Sequence, residues 1–484
     1  MNLFNASLLL KNTIIFTMGE VIPKLLSFIL LPIYMQYFTP SDYGVIGYTS
    51  SVFSILPIIT SLGLASYVLR FYFDEDSETS KKELVGSVFS FISIVNVVIF
   101  IIGIIYLPIL LNIFNIKVQW DPYFKYSFIA FSLDIFTIIP LVLFRVKQDA
   151  KTFVIFNTTK VISQYILIIF FVFYMKFGLV GFYLGNLIAL IPFALISIFL
   201  MVKHTKLNLS IKKLNEGLKY SLPLIPGSLA YLLLNSGDRF FLEQYVSLND
   251  LGIYNISSTI ALSLNLIISS IYKAAEPEIF IRYSNDSFAL FINNFKRILL
   301  FFIYTSAIIL ALFTKDVVQL ISANYDSAYL YVPIILISVL MSGSNIIYSG
   351  ILGAEKNTKS ISKAVMFGTL ISFAFNYFLI PKFGLSGAAI SSSIAFITMN
   401  FILFFSIKTK EIGYKLDLYL LILYLIFILP VVINNKYLLI NITFSIKCIL
   451  FLFFIITISF LLKITPKALK HYYIRTVNAK NYDN

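Results

Sequence analysis

A few ionisable side chains interrupt the long apolar runs of this sequence. They are Glu20, Lys24, Asp134, Lys160, Asp238, Arg239, Glu243 and Lys447. An ionised group inside an apolar bilayer costs at least about 2.5–3.5 kcal/mol, so such groups usually face a partner or a hydrated cavity. Arginine can bind phosphate oxygens through two parallel hydrogen bonds, whereas lysine offers a point charge. The set therefore predicts binding of an anion by the cations and of a proton or small cation by the carboxylates.

The spacing of these side chains gives two predicted pairs. Glu20 and Lys24 are four residues apart, as are Arg239 and Glu243, so each pair lies on one helical face. The first pair either lines a cavity or neutralises itself as a buried structural pair. Asp238 and Arg239 point about 100° apart around a helix and cannot both face one point, so one is expected to serve a cavity and the other to anchor the helix. The candidate anion-binding cations are Arg239, Lys24 and Lys160, and the candidate ion-coupling or cavity residues are Glu20, Asp134, Asp238 and Glu243.

Other kinds of chemistry find little support. The single cysteine, Cys448, allows neither an internal disulfide nor a cysteine-built metal site. His204 and His471 lie in basic hydrophilic segments, where we expect solvated surface and no metal role. Asp74 and Asp76 form a DxD that could hold a divalent cation in a nucleotide-sugar enzyme, but their short acidic loop has no nucleotide-binding domain around it. No GxxxxGK[ST] motif occurs, so we predict that energy comes from an ion gradient, the membrane potential or the substrate concentration.

The elements that must position these residues are membrane-spanning helices. Of the 484 residues, 59% are hydrophobic and only 12% are charged, with a mean hydropathy of +0.90. Apolar runs of about 20 residues, enough to cross a bilayer, recur along the chain. They predict an all-α polytopic membrane protein with fourteen spans, at residues 13–38, 43–69, 84–107, 123–144, 153–174, 179–202, 220–245, 251–272, 298–313, 328–348, 361–380, 385–407, 418–433 and 437–462.

The distribution of lysine and arginine predicts the orientation, because short loops rich in these residues stay in the cytoplasm. Fourteen spans put both termini on one side, and that side carries 27 of the 37 Lys and Arg residues. The other side carries six, namely Lys117, Lys125, Lys176, Lys315, Lys382 and Lys436. Both termini are therefore predicted to be cytoplasmic. The net charge of +14 needs no nucleic acid, since this asymmetry and anionic inner-leaflet lipids account for it.

Three segments recur in order at a spacing of about half the chain. KFGLVG (176–181) recurs as KFGLSG (382–387) at a shift of 206 residues. SDYGVI (41–46) recurs as NDLGIY (249–254), and QDAKT (148–152) as KNTKS (356–360), both at a shift of 208. One period holds six spans, so the halves are predicted to be parallel repeats related by an axis along the membrane normal.

The repeat predicts how the chain divides. A first six-helix lobe covers residues 1–202, a cytoplasmic connector 203–219 and a second six-helix lobe 220–407. Two additional helices occupy 408–463, and a basic cytoplasmic tail follows at 464–484. Two such lobes suit alternating access, in which they rock around a site at their interface. Pro223, Pro226 and Gly227, at the start of the seventh span, form the candidate hinge.

The 6+6+2 plan and three sequence features together resemble the polysaccharide transporter family, which includes the O-antigen and capsule repeat-unit flippases. The features are FTPSDYG (38–44), PLIPGSLAYLLLNSGDRFFL (223–242) and the KFGLVG/KFGLSG pair. The family belongs to the multidrug/oligosaccharidyl-lipid/polysaccharide exporter superfamily. The resemblance covers essentially the whole chain, and GDRFFL (237–242) is its most recognisable part.

This resemblance implies a flippase in a bacterial cytoplasmic (inner) membrane. It would move an undecaprenyl-diphosphate-linked oligosaccharide to the outer leaflet, with Arg239, Lys24 and Lys160 as candidate substrate-binding residues. Membrane lipids and a polysaccharide polymerase or chain-length protein are further candidate partners, and no cofactor is expected beyond a coupling H⁺ or Na⁺. The alternatives are a lipid II (peptidoglycan precursor) flippase and a cation-coupled small-molecule or drug antiporter. A membrane glycosyltransferase or polymerase has less support, and we predict no enzymatic activity.

Overall fold

A computed structural model describes residues 3–283, 288–408, 414–433 and 444–462, and every regular element in those ranges is helical. The first thirteen helices are α1 Leu3–Tyr37, α2 Pro40–Phe53, α3 Leu56–Ser61, α4 Leu64–Phe71, α5 Glu78–Ile113, α6 Lys125–Ile135, α7 Ile138–Val146, α8 Ala150–Ile169, α9 Gly178–His204, α10 Ile211–Ser221, α11 Ile225–Ser236, α12 Asp238–Tyr245 and α13 Leu248–Leu262. The others are α14 Leu264–Arg282, α15 Phe288–Ile321, α16 Val332–Ala354, α17 Thr358–Phe383, α18 Leu385–Ser406, α19 Lys415–Ile433 and α20 Phe444–Leu462. Short 3₁₀ or π turns occupy Tyr72–Asp74, Trp120–Phe124, Phe170–Tyr174, Leu222–Leu224 and Ala323–Leu330.

Within the described ranges, twelve helical stretches are long and apolar enough to cross a bilayer. Large apolar side chains stay exposed along them, as at Ile101, Ile105 and Ile109 of α5. Such surface is stable in contact with lipid chains, and the chain is a multi-pass α-helical membrane protein. Two predicted spans lie outside the set of twelve: 220–245 is divided among shorter helices, and 418–433 lies in α19. The count of fourteen and the cytoplasmic termini stay predictions.

Prolines explain the first of the two breaks in the predicted seventh span; the second break, between α11 and α12, falls at Gly237. Helix α10 ends at Ser221, a 3₁₀ turn covers Leu222–Leu224, and α11 begins with Pro226 in its first turn. Proline has no backbone N–H to donate, so it is tolerated in a first turn and kinks or breaks a helix in its interior. The candidate hinge residues Pro223, Pro226 and Gly227 therefore lie where one helix gives way to the next. Movement at this place stays a prediction.

The chain forms two compact units, Met1–Ile253 and Tyr254–Asn484. In the first, apolar side chains of α4, α5 and α7 form a core to which Met201 of α9 and Leu214 of α10 contribute, and α8 packs against α1 and α9. In the second, α18 packs against α16 and α17, while α15 contacts α19 and α20. The first unit includes the connector and residues 220–253, so it divides the chain differently from the predicted lobes, whose boundaries stay predictions. The predicted tail 464–484 lies outside the described residues.

The backbone repeats at the same spacings as the sequence. Gln148 and Lys356, 208 residues apart, have φ values of 56° and 57°. Few residues other than glycine adopt a positive φ. Gly178 and Gly384, 206 residues apart, have φ values of 54° and 53°. Residues at these two pairs of equivalent positions therefore have the same positive φ, although Lys176 also has a positive φ and its counterpart Lys382 lies within α17.

Candidate functional site

Two of the candidate residues form one ion pair. Lys160 of α8 lies with its Nζ 2.6 Å from Oδ1 of Asp134 in α6. The lysine also donates to Thr137 Oγ1 at 3.3 Å, and that hydroxyl donates to Asp134 Oδ1 at 3.0 Å. Lys160 is 7% exposed, so its ammonium is held inside the fold and does not reach the surface. Sequence spacing gives no sign of this pair, because Asp134 and Lys160 are 26 residues apart on different helices.

Glu20 pairs differently from the local prediction. Its Oε1 lies 2.8 Å from Nη2 of Arg145 in α7, while Lys24 is exposed. The Arg145 guanidinium also lies over the Phe153 ring, 4.8 Å from its centroid. An arginine held on an aromatic face is a better-placed partner than a flexible lysine on the same helix. Arg145 was missed because the predicted span 123–144 ended one residue before it.

Asp238 and Arg239 also depart from the prediction, since they bind each other. Arg239 Nη1 lies 2.7 Å from Asp238 Oδ1 and donates to the Asn235 carbonyl oxygen at 3.0 Å. Both residues are buried. The two side chains do meet at one point, because the long arginine side chain folds back along the helix. That one of them serves a cavity and the other anchors the helix stays a prediction. The carboxylate lies in the first turn of α12, where the helix dipole stabilises negative charge.

Glu243 has its hydrogen-bond partner in another segment. The Lys117 backbone N–H donates to Glu243 Oε1 at 2.5 Å, and Glu243 is 1% exposed. Lys117 Nζ donates to the carbonyl oxygens of Glu243 at 2.5 Å and Val246 at 2.7 Å. The predicted pairing with Arg239 is therefore replaced by an anchor between the loop after α5 and the end of α12. The position of Lys117 in a loop gave no sign of this anchor, because Lys117 and Glu243 are 126 residues apart.

The acidic loop that suggested a glycosyltransferase is engaged in ion pairs. Asp74 lies 3.0 Å from Arg70, and Glu75 Oε1 lies 2.7 Å from Lys213 Nζ of α10. Burial by itself would raise the pKa of Glu75, but hydrogen bonds from Lys213 and Ser80 outweigh it and lower that pKa below its ordinary value. These contacts tie the connector to the loop before α5. Glu75 thus has a structural role, whereas Asp74 forms only an exposed pair within its own segment.

The second unit holds a charged cluster that the sequence analysis missed. Lys296 of α15 pairs with Asp417 of α19, and the two residues are 1% and 2% exposed. Tyr348 OH donates to Asp417 Oδ2 at 2.6 Å and accepts from Lys296 at 2.6 Å, while Ser344 donates to Asp417 Oδ1 at 2.5 Å. Predicted spans 298–313 and 418–433 each began just after the charged residue. The sequence does carry one sign that Lys296 is buried. Lys296 is four residues after Ile292 and so lies on the apolar face of α15.

A second pair in this unit holds the last described helix. Lys447 Nζ of α20 lies 2.5 Å from Asp316 Oδ2 of α15, and the lysine is buried. This contact joins α20 to α15. Among the residues that the structure describes, no three His, Cys, Asp or Glu side chains are grouped to hold a metal ion.

One protein-family model matches more than half of this chain. A family model described as polysaccharide biosynthesis protein matches residues 9–281, more than half of the 484-residue chain. The chain belongs to this family. The matched part of the chain contains every candidate site and hinge residue from Glu20 to Glu243. The Lys296–Asp417 cluster lies beyond the matched residues. A relative, protein 1 of the Lsg locus of Haemophilus influenzae, is 24% identical in an alignment 389 positions long that covers 75% of this chain and 89% of that protein.

Solved structures with the same fold are transporters. The lipid II flippase MurJ in an inward closed conformation matches with a TM-score of 0.71 and 17% identity, over 92% of this chain and 98% of that one. An inward-facing multidrug resistance MATE transporter of the MOP superfamily matches with a TM-score of 0.65 and 16% identity, over 80% and 97%. This member of the polysaccharide biosynthesis family therefore has the MurJ and MATE fold. These two solved structures are a flippase and a multidrug transporter, and this chain shares their fold.

Proposed function

We propose that the protein is a flippase that moves an undecaprenyl-diphosphate-linked oligosaccharide from the cytoplasmic to the outer leaflet of a bacterial cytoplasmic membrane. The observation that carries the proposal is the pair of buried cations, Arg239 and Lys160, each bound to a carboxylate inside an apolar helical unit. A buried cation that remains charged is a suitable partner for a diphosphate. The family match and the flippase fold supply the reason to look for a lipid-linked saccharide.

The ion pairs also give a route by which substrate and a coupling ion interact. When a diphosphate binds Arg239, it competes with Asp238 for the same guanidinium. The displaced carboxylate then needs a proton or another cation, since an uncompensated buried charge is costly. In α6 and α8 a diphosphate would compete with Asp134 for the buried Lys160, but the Asp134 side chain is 43% exposed, so this carboxylate has less need of a replacement cation. H⁺ or Na⁺ would therefore bind as the anionic substrate takes the cation, without a dedicated metal site.

The proposed protein has fourteen spans, cytoplasmic termini and two six-helix lobes, 1–202 and 220–407, that alternate around the substrate. Pro223, Pro226 and Gly227 supply the hinge between the connector and α11. Lys24, which is exposed on α1, meets the headgroup at an early stage of binding. A polymerase or a chain-length protein would receive the translocated repeat unit.

The direct test is to identify the native cargo. We expect mass spectrometry of the gently purified protein, from a host that makes lipid-linked repeat units, to find an undecaprenyl-diphosphate oligosaccharide. Arg239→Lys should retain less of it, and Arg70→Lys, a change at an exposed ion pair, should retain the wild-type amount. Recovery of lipid II alone would identify a peptidoglycan-precursor flippase, and recovery of small organic cations alone would identify an antiporter. Either result would contradict the proposal.

The proposed orientation is tested by thiol labelling from outside the cell. With Cys448 changed to Ser, single cysteines replace Asn208 in the connector and Gln119 in the loop after α5, both of which are exposed. We expect an impermeant thiol reagent to label position 119 in intact cells and position 208 only after the membrane is opened. The reverse pattern would invert the orientation and the direction of transport.

A further inference from the structure

The two halves of the repeat begin an equivalent helix with the same cap. At the start of α2, Asp42 N–H donates to Thr39 Oγ1 at 3.3 Å and Thr39 N–H donates to Asp42 Oδ2 at 2.9 Å. At the start of α13, Asp250 N–H donates to Ser247 Oγ at 3.1 Å, and that hydroxyl donates to Asp250 Oδ2 at 2.7 Å. Each residue lies 208 positions from its counterpart. The two N-termini are therefore local copies, both fixed by a side-chain cap.

These two helix starts contact each other through their backbones. A Cβ added at Gly44 would lie 2.0 Å from the carbonyl oxygen of Leu248, and one added at Gly252 would lie 1.6 Å from that of Pro40. The contact is reciprocal, because Gly44 and Gly252, like Pro40 and Leu248, are 208 residues apart. Any residue with a side chain would push the helices apart, so glycine is required at both positions.

A polar contact also holds the segment between α12 and α13. Lys117 donates to carbonyl oxygens at the C-terminus of α12, three residues before α13 begins. A cation there binds the negative end of the helix dipole. Tyr48 of α2 also meets Phe240 of α12, with ring centroids 6.2 Å apart. All of these residues belong to the first compact unit, and they explain why that unit extends to Ile253.

We infer that the α2–α13 crossing and the Lys117 contact form the outer gate of the transporter, closed in this structure. The inference rests on the proposed function, whose orientation places Pro40, Lys117 and Leu248 on the outer side. Release of a large saccharide there requires the outer ends of the two repeats to separate. The glycine contact contains no side chain that would have to repack, so it can part and re-form. Lys117 is the polar latch that must leave the α12 carbonyls first.

The steric part of the gate is tested by adding one methyl group. Gly44→Ala and Gly252→Ala should each hold the crossing apart, and their effects should match because the contact is reciprocal. We expect an about tenfold fall in export per inserted molecule and an about tenfold rise in outside labelling of a cysteine replacing Tyr48. Gly353→Ala is the control, since its Cβ would meet two Phe280 ring carbons at 3.6 and 3.9 Å, which is ordinary van der Waals contact. Labelling needs no cargo, so unchanged labelling in both variants would overturn the gate even if the proposed cargo were wrong.

The latch is tested by locking it. In the Cys448→Ser background, cysteines replacing Lys117 and Val246 are joined by a reducible reagent about as long as the lysine side chain. Export should fall at least about tenfold and return on reduction. The control joins cysteines replacing Lys82 and Lys206, which are exposed and adjacent at the opposite end of the same unit, and should leave export unchanged. Full export by the protein linked between positions 117 and 246 would overturn the gate. Absence of export by the unlinked wild-type protein would instead refute the proposed function.

Discussion

Changing Arg239 to alanine is expected to reduce export of surface polysaccharide to background while inserted protein remains measurable. In the proposed cycle the guanidinium leaves Asp238 and binds the diphosphate, and alanine removes that charge. Arg239→Lys keeps a point charge but loses the two parallel hydrogen bonds, so export should be about tenfold lower yet above background. The measurement is surface polysaccharide divided by the amount of protein in the membrane.

A double variant separates substrate binding from helix anchoring. Arg239→Ala alone removes the arginine from the buried Asp238, which lowers abundance whatever the role of the arginine. Asp238→Ala with Arg239→Ala removes both charges and should regain abundance without regaining export. Arg70→Ala is the matched control, because Arg70 pairs with Asp74 at an exposed site where such a pair is worth about 0–1 kcal/mol. Wild-type export per molecule in the double variant would show that Arg239 only anchors α12.

Changing Asp417 to asparagine is expected to remove most of the folded protein. Asparagine keeps the shape of the side chain but leaves the Lys296 ammonium buried beside a neutral group. Breaking a buried ion pair costs about 3–5 kcal/mol, a large share of the roughly 5–15 kcal/mol that stabilises a typical protein. The loss should appear as a lower unfolding temperature in detergent and lower membrane abundance.

Charge removal from both partners distinguishes a structural pair from a transport site. Lys296→Met with Asp417→Asn should recover much of the lost stability, because no charge is then left buried. Glu278→Gln is the control within the same unit, since Glu278 and Arg282 are half-exposed and their pair should contribute about 0–1 kcal/mol. A double variant as unstable as Asp417→Asn alone would contradict the ion-pair account. Restored stability without export would assign the cluster a part in transport.

The helical membrane fold was predictable because it depends on local features of the sequence, namely the length of apolar runs and the residues in turns. A bilayer requires apolar runs of fixed length, and a repeated turn needs similar residues at a fixed spacing. KFGLVG and KFGLSG marked turns whose glycines have the same φ, and QDAKT and KNTKS marked the positive φ of Gln148 and Lys356. The break in the seventh span was less visible, because Pro223 and Pro226 also suit continuous membrane helices.

The partners within the candidate site were less predictable, because they come from other helices. Spacing of four residues suggested Lys24 for Glu20, but the structure shows Arg145, which approaches from α7. The same rule suggested Arg239 for Glu243, whose carboxylate instead accepts from the Lys117 backbone. Hydropathy identified the charged residues inside long runs, such as Lys160, but placed Lys296 and Asp417 in loops because charge itself ends an apolar run. Lys296 and Asp417 are buried because α15 and α19 begin before the apolar runs 298–313 and 418–433 and so include these charged residues.

The reciprocal contact between α2 and α13 means that one surface of the repeat is complementary to itself. In a symmetric dimer of single repeats it would be an isologous interface, and every substitution would enter twice. Within one covalent chain the two copies can be changed independently. Gly44 and Gly252 therefore allow an experiment that a dimer forbids, in which half of a twofold contact is altered while the other half is left intact.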